Sequence, residues 1–213
     1  MNVLHFMWSD RSEILHLSAE HIFLVFVSIF IATAIGVPVG ILMTRKPRLG
    51  KPILAFANIV QTIPSLALFG FLIPIPYIGG IGTRTAVIAL LLYSLLPIIR
   101  NTFTGISGVD PAVREAARGM GMTDIQILWQ VEIPLSLGVM FAGIRVATVI
   151  AVGVATIAAA IGAGGLGMFI FRGTSMLDYR LILAGAIPAA FIALAADFGM
   201  SVLEKHFMRE KRS

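Results

Sequence analysis

The chain has 213 residues, of which 58% are hydrophobic and 13% charged, and its formal net charge is +5. Soluble domains carry about 25% charged residues, so this composition excludes an ordinary water-soluble protein and indicates an integral membrane protein. The absence of cysteine excludes disulfides, thiol chemistry and cysteine-ligated metal sites. The basic residues lie beside apolar runs rather than along one stripe, which indicates membrane topology and argues against a nucleic-acid partner.

Five apolar segments are candidates for crossing a bilayer, which takes about 20 residues per helix. They lie at about 22–43, 53–76, 85–99, 137–161 and 181–203. This pattern predicts an all-α integral membrane protein with a single transmembrane domain over 22–203. The flanking parts are an N-terminal segment, 1–21, and a basic tail, 204–213. The N-terminal segment is too long and acidic to begin a signal peptide, and no small-residue cleavage site follows it.

The basic residues also predict the orientation of the chain. They concentrate in three regions, 45–51, 100–118 and 205–212, and few lie on the opposite side of the predicted spans. Loops rich in lysine and arginine stay in the cytoplasm. Five spans therefore place the N-terminus outside the cell and the C-terminus in the cytoplasm, and a polar insert at 110–134 is cytoplasmic.

This cytoplasmic insert carries signals for two short helices. An acidic cap before a proline starts the first helix, and two glycines end it. A threonine cap with a glutamine three places on forms a capping box for the second helix, and a proline ends the insert where the next span begins. These residues are, in chain order, Asp110, Pro111, Gly119, Gly121, Thr123, Gln126 and Pro134.

The first helix of the insert combines charge with little side-chain bulk. Ala116 and Ala117 are the small neighbours of Glu115. A small, charged helix on the membrane face suits insertion into a groove on another protein. A solvated linker between two spans is the alternative, and the residues by themselves leave both interpretations open.

The insert resembles the cytoplasmic EAA loop of permease subunits of bacterial ATP-binding-cassette (ABC) importers. That loop reads EAA, three residues, G, nine residues and then I-x-L-P. The corresponding residues here are EAA at 115–117, Gly121 and VEIP at 131–134, and Val131 and Ile133 depart from the pattern as aliphatic exchanges. The resemblance implies a coupling helix seated in a cleft of a cytosolic ATPase. The coupling residues that it implies are Glu115, Ala116, Ala117, Gly121 and Pro134.

Most of the chain, from about 20 to 205, is similar to permeases of osmoprotectant importers. The similarity is carried by NIVQTIPSLALFGFLIPI, LLYSLLPIIRNTFTGISGVDP and IGAGGLGMFIFRG. It implies a type I ABC importer permease fold, like that of methionine importers, in a bacterial or archaeal plasma membrane. The implied partners are a cytosolic ATPase dimer, a second permease subunit that is identical or paralogous, and an extracytoplasmic substrate-binding protein.

The same resemblance implies the transported solute. Osmoprotectant importers move glycine betaine, choline, carnitine and related quaternary ammonium compounds. An importer of the same fold for another small solute, such as an amino acid derivative, is one alternative. A secondary carrier is the other alternative, although the polar insert has no purpose in it.

The chain lacks the residues of an energy-coupling or catalytic site. A phosphate-binding P-loop needs Gly-x-x-x-x-Gly-Lys before Ser or Thr, and no lysine here has that context. Asp197 is the one carboxylate within the predicted spans, and all four histidines lie outside them. We therefore expect no catalytic residue, metal site or cofactor in this chain, with ATP and Mg²⁺ bound by the partner ATPase.

Polar residues of the second predicted span share one helical face. Asn58, Gln61, Thr62 and Ser65 lie three, four and seven positions apart. Such a face is costly in lipid, so it is expected to point into the bundle or a wet cavity. Pro64 suits an irregular backbone beside a pathway. We expect Asn58, Gln61 and Ser65 to line the translocation pathway, and hydrogen bonding between helices is the alternative.

The fourth predicted span carries a stripe of small residues with polar positions between them. Such a stripe allows close helix packing, either within the subunit or at a dimer seam. Thr148 and Thr156 are candidates for the pathway, and Arg145 is expected to snorkel or to pair with an acid. The stripe comprises Ala147, Ala151, Ala155, Ala159 and Ala163.

Two further features complete the candidate sites. Tyr93 offers an aromatic face within the third span, and a quaternary ammonium ion is usually recognised by such faces. A run of glycines follows the fourth span and indicates a tight backbone turn at the external mouth. In the family that it resembles, this region lies near the gate, so Gly164 and Gly165 are candidate gate residues.

Overall fold

The computed structural model describes residues 2–209, with side chains through residue 205. Within this range the regular structure is entirely helical, which confirms the predicted all-α fold. Lys211 and Arg212 of the predicted basic tail lie outside the described residues. The helices are α1 Val3–Ser9, α2 Arg11–Arg45, α3 Pro47–Thr62, α4 Ser65–Leu72, α5 Thr83–Ser107, α6 Pro111–Gly119, α7 Asp124–Ile127, α8 Ile133–Ala158, α9 Gly167–Met176 and α10 Tyr179–Arg209.

Four helical segments are long and apolar enough to cross a membrane, and a fifth span arises if α3 and α4 act as one bent pair. The four are α2, α5, α10 and the continuous stretch Asp124–Ile161 that contains α8. The second predicted span differs from expectation, because α3 and α4 meet at 104°. Pro64 explains the break: it lacks the N–H that a continuous helix needs, and it holds Ile63 in an extended conformation with φ −69° and ψ 126°.

The predicted N-terminal segment, 1–21, consists of α1 and the first part of α2. Helix α2 begins at Arg11 and contains no glycine or proline before the first predicted span. Ile14 and Leu17 are buried in a cluster with Phe169 of α9. Because these residues are buried, α2 extends on the N-terminal side of the apolar run that begins at residue 22. The expected boundary before residue 22 is therefore not the end of a helix.

Helix α5 packs between α2 and α8 at the centre of the bundle. Small residues allow this close approach. A Cβ atom on Gly40 of α2 would lie 2.6 Å from Thr102 Cβ, and one on Gly143 of α8 would lie 2.5 Å from Asn101 Cβ. Most of the predicted alanine stripe serves packing within the chain. Its buried members are Ala147, Ala151, Ala155 and Ala163.

Arg145 of α8 pairs with Asp197 of α10. Its Nε donates to Oδ1 at 2.5 Å, and its Nη2 donates to Oδ2 at 2.7 Å. Of the two roles expected for Arg145, the structure therefore shows pairing with an acid. The two-point ion pair compensates the cost of placing both charges among apolar helices. The pair joins the fourth and fifth spans.

Candidate coupling helix and translocation residues

Helix α6 has one exposed face and one packed residue. The side chain of Asp110 accepts a hydrogen bond from the Ala112 N–H at 2.8 Å, which confirms the predicted cap. Glu115 and Ala116 are exposed, whereas Ala117 is 1% exposed. The structure therefore divides the sequence-predicted coupling residues: the first two are free to contact a partner, and the third holds the helix against the rest of the chain.

Gly121 ends the α6 turn in a left-handed conformation, with φ 83°. Its N–H donates to the Arg118 carbonyl at 2.9 Å, and the Met122 N–H donates to the Ala117 carbonyl at 3.1 Å. These two bonds form a Schellman motif. A Cβ atom on Gly121 would meet nothing within 4 Å. Glycine is therefore favoured here by the backbone conformation and not by lack of space.

The second part of the insert is continuous with the next span. Thr123 N–H donates to Gln126 Oε1 at 2.8 Å, and the reciprocal bond confirms the predicted capping box. Helix α7 then passes through a π-helical turn, Leu128–Glu132, into α8. The second helix of the insert is thus not separate from the fourth span, whereas α8 begins beside Pro134 as the sequence predicts. Pro134 lies in the first turn of α8. Proline has no N–H for the regular α-helical hydrogen bond, and the π-helical turn before it already departs from that bonding pattern, so the proline is tolerated at this position.

Glu132 is a buried carboxylate at the base of the insert, 1% exposed. Arg45 Nη1 donates to its Oε1 at 3.4 Å, and Arg45 Nη2 pairs with its Oε2. Arg114 Nε lies 2.9 Å from Oε1 in an ionic contact without hydrogen-bond geometry. A cavity of about 300 Å³ adjoins this cluster. It is lined by Thr44, Arg45, Ser107, Pro111, Arg114, Glu115, Arg118 and Glu132.

The sequence reasoning missed this cluster. Glu132 occupies the variable position of the EAA-loop pattern, and the two arginines lie in basic regions that indicate topology. A single acid that directly precedes a membrane span was the signal available. Its partners lie in other elements, so their identity follows only from the fold.

The three pathway candidates of the second predicted span are separated by the bend. Asn58 and Gln61 lie on α3, and Ser65 is the first residue of α4. They do not share one helical face, because the chain turns by 104° between them. Asn58 Oδ1 accepts a hydrogen bond from Arg100 Nη2 at 3.4 Å. The interhelical role considered for these residues is thus present at Asn58.

Tyr93 is buried in the core with its hydroxyl directed at the break. It is 6% exposed and belongs to the cluster that contains Ala151 and Ala155. Its hydroxyl donates to the carbonyl oxygen of Ile63. In this conformation of the chain, the ring is a packing residue rather than an open aromatic face.

Thr148 and Thr156 satisfy their hydroxyl groups within α8. They donate to the carbonyls of Ile144 at 2.8 Å and Gly153 at 2.7 Å, respectively. Thr148 also lines an apolar groove of about 380 Å³ formed by α2, α8 and α10. None of the α3, α4 or α5 candidates lines this groove.

The glycine turn after α8 contacts the first spanning helix. Gly164 and Gly165 have φ of 82° and 78°. The Gly165 N–H donates to Glu20 Oε2 at 2.9 Å, an acceptor that the sequence analysis did not identify. His21, expected outside the spans, lies within α2 and is fully buried, with Nε2 3.2 Å from the Val152 carbonyl oxygen. Glu20 thus holds this turn, and the neighbouring His21 joins α2 to α8.

A carboxylate also holds the turn before α10. Asp178 Oδ1 accepts hydrogen bonds from the backbone N–H and the Nε of Arg180, both at 2.9 Å. The Arg180 guanidinium lowers the pKa of Asp178, because the ionised carboxylate is the better acceptor. Among the residues that the structure describes, no group of three or more His, Cys, Asp or Glu could hold a metal ion.

The bundle combines helices that can span a membrane with an exposed helical insert between the third and fourth spans. The chain belongs to the family of binding-protein-dependent transport system inner membrane components, whose model matches residues 36–212. It is 46% identical over 200 residues to the osmoprotectant import permease protein OsmW of Salmonella typhimurium, and the match covers 93% of each chain. It is 43% identical over 202 residues to the carnitine transport permease protein OpuCB of Listeria monocytogenes, across 95% of this chain and 91% of that one.

A solved structure of the MetNI methionine ABC transporter in an inward-facing conformation shares this fold. The TM-score is 0.78 at 25% identity, and the match covers 88% of this chain and 93% of that one. The predicted type I ABC importer permease fold is confirmed. The chain is accordingly a multi-pass inner-membrane permease subunit, and its family implies a separate substrate-binding protein and an ATPase as partners.

Proposed function

We propose that this chain is the permease subunit of an ABC importer for a small quaternary ammonium osmoprotectant, such as glycine betaine, choline or carnitine. The support is the similarity to permeases named for osmoprotectant and carnitine transport, over more than nine-tenths of the chain. A quaternary ammonium ion has no N–H to donate and is usually selected by aromatic faces. Because Tyr93 is buried, we assign high-affinity selection to the separate binding protein and only transient contacts to the permease.

Energy enters the permease through α6 in this proposal. The observation that carries it is the exposed surface of Glu115 and Ala116 on a helix that is ordered at both ends by Asp110 and Gly121. A solvated linker helix would carry caps of the same kind, so the small exposed surface is the feature that favours docking. We assign this surface to a cleft in one subunit of a cytosolic ATPase dimer, where ATP and Mg²⁺ bind and hydrolysis moves α6.

The proposed assembly contains a second permease, identical or paralogous. This chain is oriented according to its distribution of basic residues, with the N-terminus outside and the C-terminus in the cytoplasm. The turn at Gly164 and Gly165 then faces outwards, near the docked binding protein, and contributes to the external gate. The bend at Pro64 places Gln61 and Ser65 beside irregular backbone, where transient polar contacts with a solute are available.

Reconstitution tests the proposal. The permease is co-expressed with its ATPase and binding protein, and uptake into liposomes is measured with radiolabelled choline, glycine betaine, carnitine and methionine. We expect ATP-dependent uptake of at least one quaternary ammonium compound, and methionine serves as the matched zwitterion that has N–H groups. Uptake of methionine alone would contradict the solute assignment, and uptake without the ATPase would indicate a secondary carrier.

A further inference from the structure

Four helices meet at the buried carboxylate of Glu132. This residue ends the π turn directly before α8, and Arg45 is the last residue of α2. Arg114 comes from α6, and its Nη2 also donates to the carbonyl of Ile106 in the last turn of α5. The Arg45–Glu132–Arg114 cluster therefore connects the insert helix to the ends of the first, third and fourth spans.

The cluster differs in burial from the other ion pair of the insert. The Glu132 side chain is 2% exposed, whereas Arg118 and Asp124, 3.6 Å apart, are 62% and 78% exposed. An exposed pair is weakened by water and salt. A buried carboxylate, by contrast, has to keep its cationic partners in place, because separation would leave a desolvated charge. Displacing Arg114 therefore displaces Glu132, and Glu132 carries Arg45 with it.

Helix α6 has few other connections to the membrane helices. Ala117 is its one buried residue, and the chain on each side of α6 passes through turns at Gly108 and Gly121. Turns transmit displacement poorly, since their dihedral angles absorb it. In the part of the chain that the structure describes, the side chain of Arg114 makes direct polar contacts from α6 to Glu132 and to the Ile106 carbonyl.

We propose that Glu132 is a positioning residue that transmits the displacement of α6 to the ends of α2 and α8 through Arg114 and Arg45. This inference rests on the proposed coupling of α6 to an ATPase. The alternative is that the cluster only braces the fold. A brace affects the amount of folded protein, whereas a transmission element changes the ATP hydrolysed for each solute moved by the protein that has folded.

The test uses the complete importer in liposomes, with ATP hydrolysis and solute uptake measured on the same vesicles. Arg114→Lys keeps the charge but loses the planar guanidinium that contacts both Glu132 and the Ile106 carbonyl. Glu132→Gln keeps the shape but loses the charge. We expect each variant to raise the ATP hydrolysed per solute roughly tenfold. Asp124→Asn, which removes the exposed Arg118–Asp124 pair of the insert without changing a residue of α6, serves as the control with the wild-type ratio.

Gel filtration and thermal unfolding in detergent establish that each variant is folded. If Glu132→Gln fails to fold, the charge-retaining Arg114→Lys decides the question. A folded Arg114→Lys importer with the wild-type ratio of ATP to solute would overturn the inference while leaving the proposed function intact. Wild-type vesicles without ATP-dependent uptake would instead overturn the proposed function, and this inference with it.

Discussion

The Tyr93 hydroxyl donates a hydrogen bond to the carbonyl oxygen of Ile63, the residue that precedes Pro64 at the break between α3 and α4. Tyr93 lies on the central helix α5, so this bond ties the bent pair to the core of the bundle. An unpaired backbone carbonyl is costly where water is scarce. The bond therefore stabilises the break at the place where proline creates it.

Tyr93→Phe is expected to lower the free energy of unfolding by about 1 kcal/mol, because the Ile63 carbonyl loses its donor while the ring packing is kept. Thermal unfolding of the purified permease in detergent measures the effect. Tyr179→Phe, at an exposed tyrosine, is the control and is expected to unfold at the wild-type temperature. Equal unfolding temperatures for both variants would show that the bond contributes nothing.

Gly121 is expected to tolerate asparagine but not valine. Its left-handed backbone costs a β-branched residue about 1–2 kcal/mol, whereas asparagine adopts this region more readily. Gly121→Val should therefore distort the end of α6 and reduce solute-stimulated ATP hydrolysis, and Gly121→Asn should retain it. Gly119→Ala is the matched control, since Gly119 also has open space but ordinary helical geometry. Full stimulation in Gly121→Val would contradict a requirement for this turn.

Gly164→Ala is expected to disturb the turn proposed for the external gate. The new Cβ would lie 2.4 Å from Glu20 Oε2, at a φ of 82° that alanine disfavours. The expected result is weaker stimulation of ATP hydrolysis by the loaded binding protein. Gly199→Ala, at a helical glycine with open space, should behave as wild type. The gate assignment fails if both alanine variants respond equally to the binding protein.

Arg145 and Asp197 are expected to show energetic coupling. Arg145→Gln and Asp197→Asn each leave one charge without its partner among apolar helices, whereas the double variant removes both charges. A double-mutant cycle on unfolding in detergent should give a favourable interaction energy, so that the double variant loses less stability than the sum of the two single variants. Strictly additive effects would mean that the contact does not stabilise the bundle.

Features set by local chemistry could be predicted from the sequence. The Asp110 cap and the Thr123–Gln126 capping box need only residues within one helical turn, and both are present. The spans follow from apolar length, which is a property of each segment. The coupling role of residues 115–117 is implied by the resemblance to the EAA loop and stays a prediction.

Features that depend on tertiary structure could not be predicted. Proline is often tolerated in membrane helices, so Pro64 alone did not distinguish a kink from a 104° break, and Pro134 did not reveal that α7 continues into α8. Glu132 and Arg45 are 87 positions apart in the sequence. Their contact depends on the packing that brings the end of α2 beside the start of α8. The hydrophobic periodicity of the sequence does not encode this packing.

Site-specific cross-linking of α6 tests the central claim most directly. The chain has no cysteine, so Ala116→Cys introduces a unique thiol on the exposed face of the helix. We predict that a cross-linker anchored on this thiol, with a photoactivated second group that inserts into any neighbouring side chain, joins it to the ATPase subunit in inside-out vesicles. Leu177→Cys, in the 91%-exposed turn before α10, should react only from the outside of whole cells and should not join the ATPase. Labelling of Ala116→Cys from outside the cell, or its failure to join any ATPase, would contradict the account.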